Sequence, residues 1–111
     1  MKFVLLIFTF NAFALFTNAQ TNHIPDSTKQ VLIVEASCGQ CQFNLSGKGC
    51  NLAIRLNGKA YFVDGANIDA YGDAHAKDGF CESIQIANVQ GEIINNRFNV
   101  SFFELQKNKL K

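Results

Sequence analysis

Several features are missing from this 111-residue chain, and each absence removes a class of function. Ten Lys and Arg stand against nine Asp and Glu, with no basic cluster apart from a short tail, "QKNKLK". A groove that tracks a phosphate backbone needs such a cluster, so nucleic-acid binding lacks its electrostatic warrant. There is no Gly-x-Ser-x-Gly nucleophile elbow and no serine evidently paired with a base, so hydrolytic catalysis has little support. The single proline, Pro25, lies in "QTNHIPDSTKQ". No second long apolar run follows the one at the start.

That first run is informative. "MKFVLLIFTFNAFALFTNAQ" has Lys2, an apolar stretch from Phe3 to Phe16 and the small-residue end Thr17-Asn18-Ala19. This is the order of a secretory signal peptide, expected over 1–19. Polar Thr9, Asn11, Thr17 and Asn18 argue against an anchor helix, since a bilayer span wants about 20 apolar residues. No cysteine directly follows the apolar stretch, which argues against a lipid anchor. The expectation is an exported chain, periplasmic or secreted, with no membrane span after signal removal. About ninety residues then remain, enough for one small domain. Such a domain has a modest core and often uses a staple.

Residues 20–30 read as a polar, flexible leader, in which His23 is a solvated side chain. "VLIVEAS", 31–37, is a β-branched run that predicts a buried strand ending at the first cysteine. Residues 38–49, "CGQCQFNLSGKG", form a glycine-punctuated loop. Leu52, Ile54 and Leu56 alternate with Ala53 and Arg55, predicting a strand with one buried face. Asn57-Gly58 is a strong hairpin signal, because type I′ turns need positive φ at both central positions, and "KAYFVD" is the return strand. The segment 64–77, with Asp64, Asp69 and Asp73, reads as a long loop. "DGFCESIQ", 78–85, predicts a short helix capped by Asp78. Residues 86–105 form a second hairpin turning at Asn95-Asn96, with a register slip near Phe103.

Strand, strand, strand, helix, strand, strand suits a mainly β domain over 31–105, a small five-stranded OB-like barrel, with 106–111 as a disordered tail. An open antiparallel sheet crossed by one helix is the alternative. Reversing the chain at each bend sends loop 38–49, loop 64–77 and the Asn95-Asn96 turn to one end. In OB folds the strand 2–3 face beside such loops is the usual ligand surface. Cys38, Cys41, Cys50, His75 and Cys81 are expected to meet there.

Three chemistries suit these residues. The default for an exported chain is two disulfides, and four cysteines allow three pairings. A metal site is the second: Cys-x-x-Cys offers two ligands from one turn, as zinc knuckles do, and Cys50 with Cys81 or His75 completes a tetrahedron for zinc or copper(I). Thiol redox chemistry is the third, at Cys81 or at the Cys38–Cys41 pair. "QFNLSGKG" after Cys41 does not read as the helix that a thioredoxin-type pair caps. The aspartates at 64, 69, 73 and 78 do not follow an EF-hand spacing and read as a solvated loop. The expected role is a binding or structural module, with no catalytic residue assigned. Phe62, Phe80, Phe98, Phe102 and Phe103 are expected in the core.

On "CGQCQF", "GKAYFVDG", "GDAHAKDGFC" and "VQGEI", the chain resembles a family of small exported bacterial proteins of unknown function, over roughly residues 34–103. The resemblance implies a shared fold and site, marks Cys38, Cys41, Cys50, His75 and Cys81 as motif positions, and carries no reaction with it.

Overall fold

The computed structural model describes residues 24–106. The expected signal peptide, His23 and all but the first residue of the expected tail lie outside the described residues. β1 (Leu32–Cys38) leads into a one-turn helix, α1 (Gly39–Gln42), followed by β2 (Leu52–Leu56) and β3 (Lys59–Asp64). A 3₁₀ turn (Ile68–Tyr71) and a run of turns then precede β4 (Gln85–Ile94) and β5 (Arg97–Leu105). The five strands close in the order β1-β2-β3-β5-β4, the barrel expected from the sequence. Closure leaves no strand edge unpaired along its whole length. No helix among the described residues is long and apolar enough to cross a membrane.

Both hairpin turns have the backbone that their residues favour. Asn57 and Gly58 have φ of 52° and 82°, and Asn95 and Asn96 have 52° and 62°. These are the left-handed conformations of a type I′ turn, which asparagine and glycine adopt at least cost. Inside the barrel, Val34, Ala36, Leu52, Ile54, Val63, Ala87, Val89, Phe98, Val100 and Phe103 make a continuous core. The β4–β5 register shifts by one between Gln90 and Gly91. Gln90 faces Phe102 and Gly91 faces Val100, so Ser101 is the extra residue of a bulge. That bulge lets both Val100 and Phe103 face the core.

Two expectations are corrected. No helix forms over 78–85. The Phe80 carbonyl accepts from the Cys38 N–H at 3.0 Å and from the Ser37 hydroxyl, and the Cys81 N–H goes to the Ala74 carbonyl at 2.8 Å. Long-range partners take the groups that an α-helix would have paired locally. Nor does the Asn95-Asn96 turn lie with the cysteine loops. β4 runs antiparallel to β1, and β5 runs parallel to β3, so this turn shares the opposite end with Asn57-Gly58. Lys59 Nζ donates to Asn96 Oδ1 across that end at 3.0 Å.

With no helix to carry the chain down, the segment between β3 and β4 stays at the loop end and plugs it. Ile68, Ala74 and Phe80 are buried there as part of the core. The Tyr71 ring packs at 4.7 Å from Phe103 and edge-on at 6.1 Å from Phe80, and this burial pushes its phenol pKa up. The leader is also tied down in part. The Gln90 side chain, 1% exposed, accepts from the Asp26 N–H and donates to the Asp26 and Lys29 carbonyls at 2.8–2.9 Å.

Candidate metal centre

β1 delivers Cys38 to the rim of the barrel as a buried residue. There its thiol caps α1, with Sγ accepting the Cys41 N–H at 3.4 Å. The Cys-x-x-Cys pair is thus a strand end followed by one helical turn, where the sequence reading had a glycine-punctuated loop. Gly39 makes this geometry fit. A Cβ on it would lie 2.6 Å from Phe62 Cε1 and 3.0 Å from both Ala53 Cβ and Leu45 Cδ1.

Residues 39–45 therefore lie across the outer face of β2 and β3. This explains why Ala53, expected on a solvent face, is fully buried. Phe43 is 9% exposed, with the Arg55 guanidinium 4.8 Å above its ring. Arg55 in turn pairs with Glu35 at 3.1 and 2.8 Å, holding that carboxyl below the usual carboxylate range. The surface that OB folds commonly offer to ligands is here covered by the chain's own first loop.

Side-chain amides set the second and third cysteine segments against the first. Gln40 Nε2 donates to Asn51 Oδ1 at 2.8 Å, the Asn51 N–H returns to Gln40 Oε1 at 2.9 Å, and the Gly39 N–H reaches the Asn51 carbonyl at 2.8 Å. These bonds fix Cys50, the neighbour of Asn51. Gln42 Nε2 donates to the Cys81 carbonyl at 2.8 Å. The buried Ser37 hydroxyl is shared between the Phe80 carbonyl and the Ser83 carbonyl, the latter at 2.7 Å. Gln40, Gln42, Asn51 and Ser37 were not singled out by sequence reasoning. The only available signal was that Gln40 and Gln42 flank Cys41 inside "CGQCQF".

The result is convergence of all four sulfurs. The Sγ atoms of Cys38, Cys41, Cys50 and Cys81 lie within 4.8 Å of one another. Cys41 and Cys50 are 3.7 Å apart, and Cys50 and Cys81 are 3.1 Å apart. Each thiol is unbridged. For comparison, a zinc ion with Zn–S bonds of about 2.3 Å needs sulfurs about 3.8 Å apart along the edges of its tetrahedron. A cluster this tight is compatible with a shared soft cation, and also with disulfide formation after small movements. His75 is not part of the group. It is exposed, and its backbone N–H donates to Asp73 Oδ1 at 2.9 Å in a local turn. Among the described residues the aspartates build no second cluster of this kind.

The protons are unevenly held. Burial pushes the Cys38 thiol up, but the thiol and N–H of Cys41, the Cys50 thiol and the Gln40 N–H all stabilise its thiolate, and the pKa ends below the ordinary value. Cys41 is pushed up to about 11, first by its hydrogen bond to Cys38, then by desolvation and the Cys38 charge. Cys81 is raised further, chiefly by burial and by its bonds to Cys50 and Cys41. Cys38 is thus the sulfur that gives up its proton most readily, and Cys41 and Cys81 hold theirs more tightly than an ordinary thiol. A cation that draws all four sulfurs must displace those protons.

No curated protein and no solved structure matches the chain. A family model described as a family of unknown function does match, over residues 32–106. This span includes all four cysteines and every strand of the barrel. The chain therefore belongs to that family of unknown function, DUF6370.

Proposed function

We propose that this domain is an exported soft-metal-binding module in which Cys38, Cys41, Cys50 and Cys81 together hold one zinc(II) or copper(I) ion. The observation that carries this reading is the mutual distance of the four sulfurs, none more than 4.8 Å from another. Two separate disulfides require only that two pairs be close. A common centre requires that all four be. Thiolate sets select zinc and copper(I) over hard cations such as calcium or magnesium. The amide bonds from Gln40, Gln42 and Asn51 supply the outer support that metal ligands generally need to keep their orientation.

The test is elemental analysis and thiol counting on protein purified without reducing agent. One equivalent of zinc or copper with four unoxidised cysteines is the expected result. A metal-free protein whose intact mass is about 4 Da below the reduced chain means two disulfides, and the reading fails.

A second reading, thiol–disulfide exchange, draws on the lowered pKa of the Cys38 thiol at the cap of α1 and the exposed Cys41 three residues on. A protein of that kind catalyses exchange on a model disulfide, at the Cys38–Cys41 pair or at Cys81, and loses the activity in Cys38→Ser or Cys81→Ser.

A further inference from the structure

We propose that the centre passes its metal to a second protein bearing a cysteine pair, and that the handover takes place across the Cys41–Cys50 edge. The inference rests on the metal-binding reading above. Its basis is the lopsided burial of the four ligands. Cys38 and Cys81 are 0% and 8% exposed, and hydrogen bonds to the Phe80 and Ala74 carbonyls fix their backbones. Cys41 is exposed and Cys50 half-buried. A cation that only braces loops has no use for sulfurs in water, and solvent access to a centre is set by the shell around it.

The outer pair is also carried on the lighter parts of the structure. Cys41 sits on the single turn of α1. Cys50 follows an exposed stretch, 46–49, in which Gly47 and Gly49 have φ of +142° and +84°. Beside Cys50 opens a cleft of about 320 Å³, walled by Asn51, Asn67, Asp69 and Arg97. It is large enough to admit side chains of an incoming segment beside Cys50. The two outer sulfurs are 3.7 Å apart, a spacing that two cysteines of an acceptor can match.

The exchange involves no change of oxidation state. An acceptor sulfur bonds to the ion as the bond to Cys41 breaks, and a second acceptor sulfur then replaces Cys50. The two protons given up by the acceptor thiols pass, directly or through water, to the freed Cys41 and Cys50 thiolates. Cys38 and Cys81 release the ion last and take up protons from solvent.

The test uses the zinc-loaded full chain and a synthetic Cys-Gly-Gly-Cys peptide in excess, with transfer followed by native mass spectrometry. The expected result is an initial rate proportional to peptide concentration. Asp69→Trp, which narrows the cleft without touching a sulfur, is expected to slow transfer several-fold at unchanged zinc content. Zinc retained by the chain and released at a rate indifferent to peptide concentration overturns the inference and leaves the metal reading standing. A rate unchanged in Asp69→Trp overturns the cleft as the approach. A chain that holds no zinc overturns both the inference and the reading beneath it.

Discussion

Gln40 and Asn51 hold each other by two hydrogen bonds, side-chain amide to side-chain carbonyl at 2.8 Å and backbone N–H to side-chain carbonyl at 2.9 Å. Gln40 Oε1 also accepts from the buried Cys38 thiol at 3.6 Å, and the pair sets Cys50 at its distance from Cys41. Gln40→Ala is expected to leave the barrel folded, by circular dichroism, and to weaken zinc binding by about tenfold, the lower end of what loss of an outer support costs. Competition against a chromogenic chelator measures it. An unchanged affinity means that the backbone alone positions Cys50.

Gly39 is the second target. Its neighbours Phe62, Ala53 and Leu45 leave no room for a side chain. Gly39→Ala is expected to destabilise the domain by about 1–3 kcal/mol, the usual cost of forcing a carbon into a packed site. Denaturant unfolding gives the figure. A loss under about 0.5 kcal/mol, the scale of ordinary surface changes, shows that the 39–45 segment lifts easily from β2 and β3.

The pH dependence has a definite sign. In the metal-free domain Cys41 and Cys81 have pKa values above the ordinary 9.0. A thiol raised on folding adds stability below its unfolded value, and that contribution is lost as pH rises toward the folded one. Cys38, lowered, opposes this with one group against two. The reduced, metal-free domain should therefore lose stability as pH climbs above about 9. Zinc affinity should move the other way and fall on acidification, because protons compete for the same sulfurs. Melting temperatures of the free and loaded forms across pH 6–11 would contradict the assignment if both ran parallel.

Metal removal should act locally. A cation held by the four sulfurs would join residues 38–41, the start of β2 and the segment before β4, so chelation is expected to raise amide exchange over 38–51 and 74–83. The far half of the β4–β5 hairpin, 91–100, should stay protected. Binding to the folded form alone adds about 4 kcal/mol at a thousandfold excess of ion over its Kd. An equal loss of protection throughout means that the barrel depends on the ion for its existence.

How much of this was legible in advance follows from the range of the interactions. The alternation at Leu52, Ile54 and Leu56, the two asparagine turns and the closing hairpin are local patterns, and they predicted the strands and the barrel. Reversing the chain at each predicted bend gathered the cysteines at one end, as the structure does. What failed to show depends on distant partners. Ala53 is buried by a loop that returns over it, and residues 78–85 lose their expected helix to the Ser37 and Cys38 donors. The Asn95-Asn96 turn was assigned to the wrong end because that assignment relied on the missing helix. His75 was expected at the site because its loop leaves at the same end as the cysteines, but a turn at Asp73 keeps it in solvent.

The parallel pairing of β3 with β5 has one more consequence. Only Val63–Phe98 and Asp64–Asn99 are in register there, clamped from outside by Arg97 and Asp64 at 2.9 Å. Exposed ion pairs contribute little and weaken with salt. The seam is therefore held by its backbone pairings and by the burial of Val63 and Phe98 beneath it, and loss of that burial, not added salt, is what turns the closed wall into a flat ribbon. The two strands then laid bare are natural templates for edge-to-edge association between molecules.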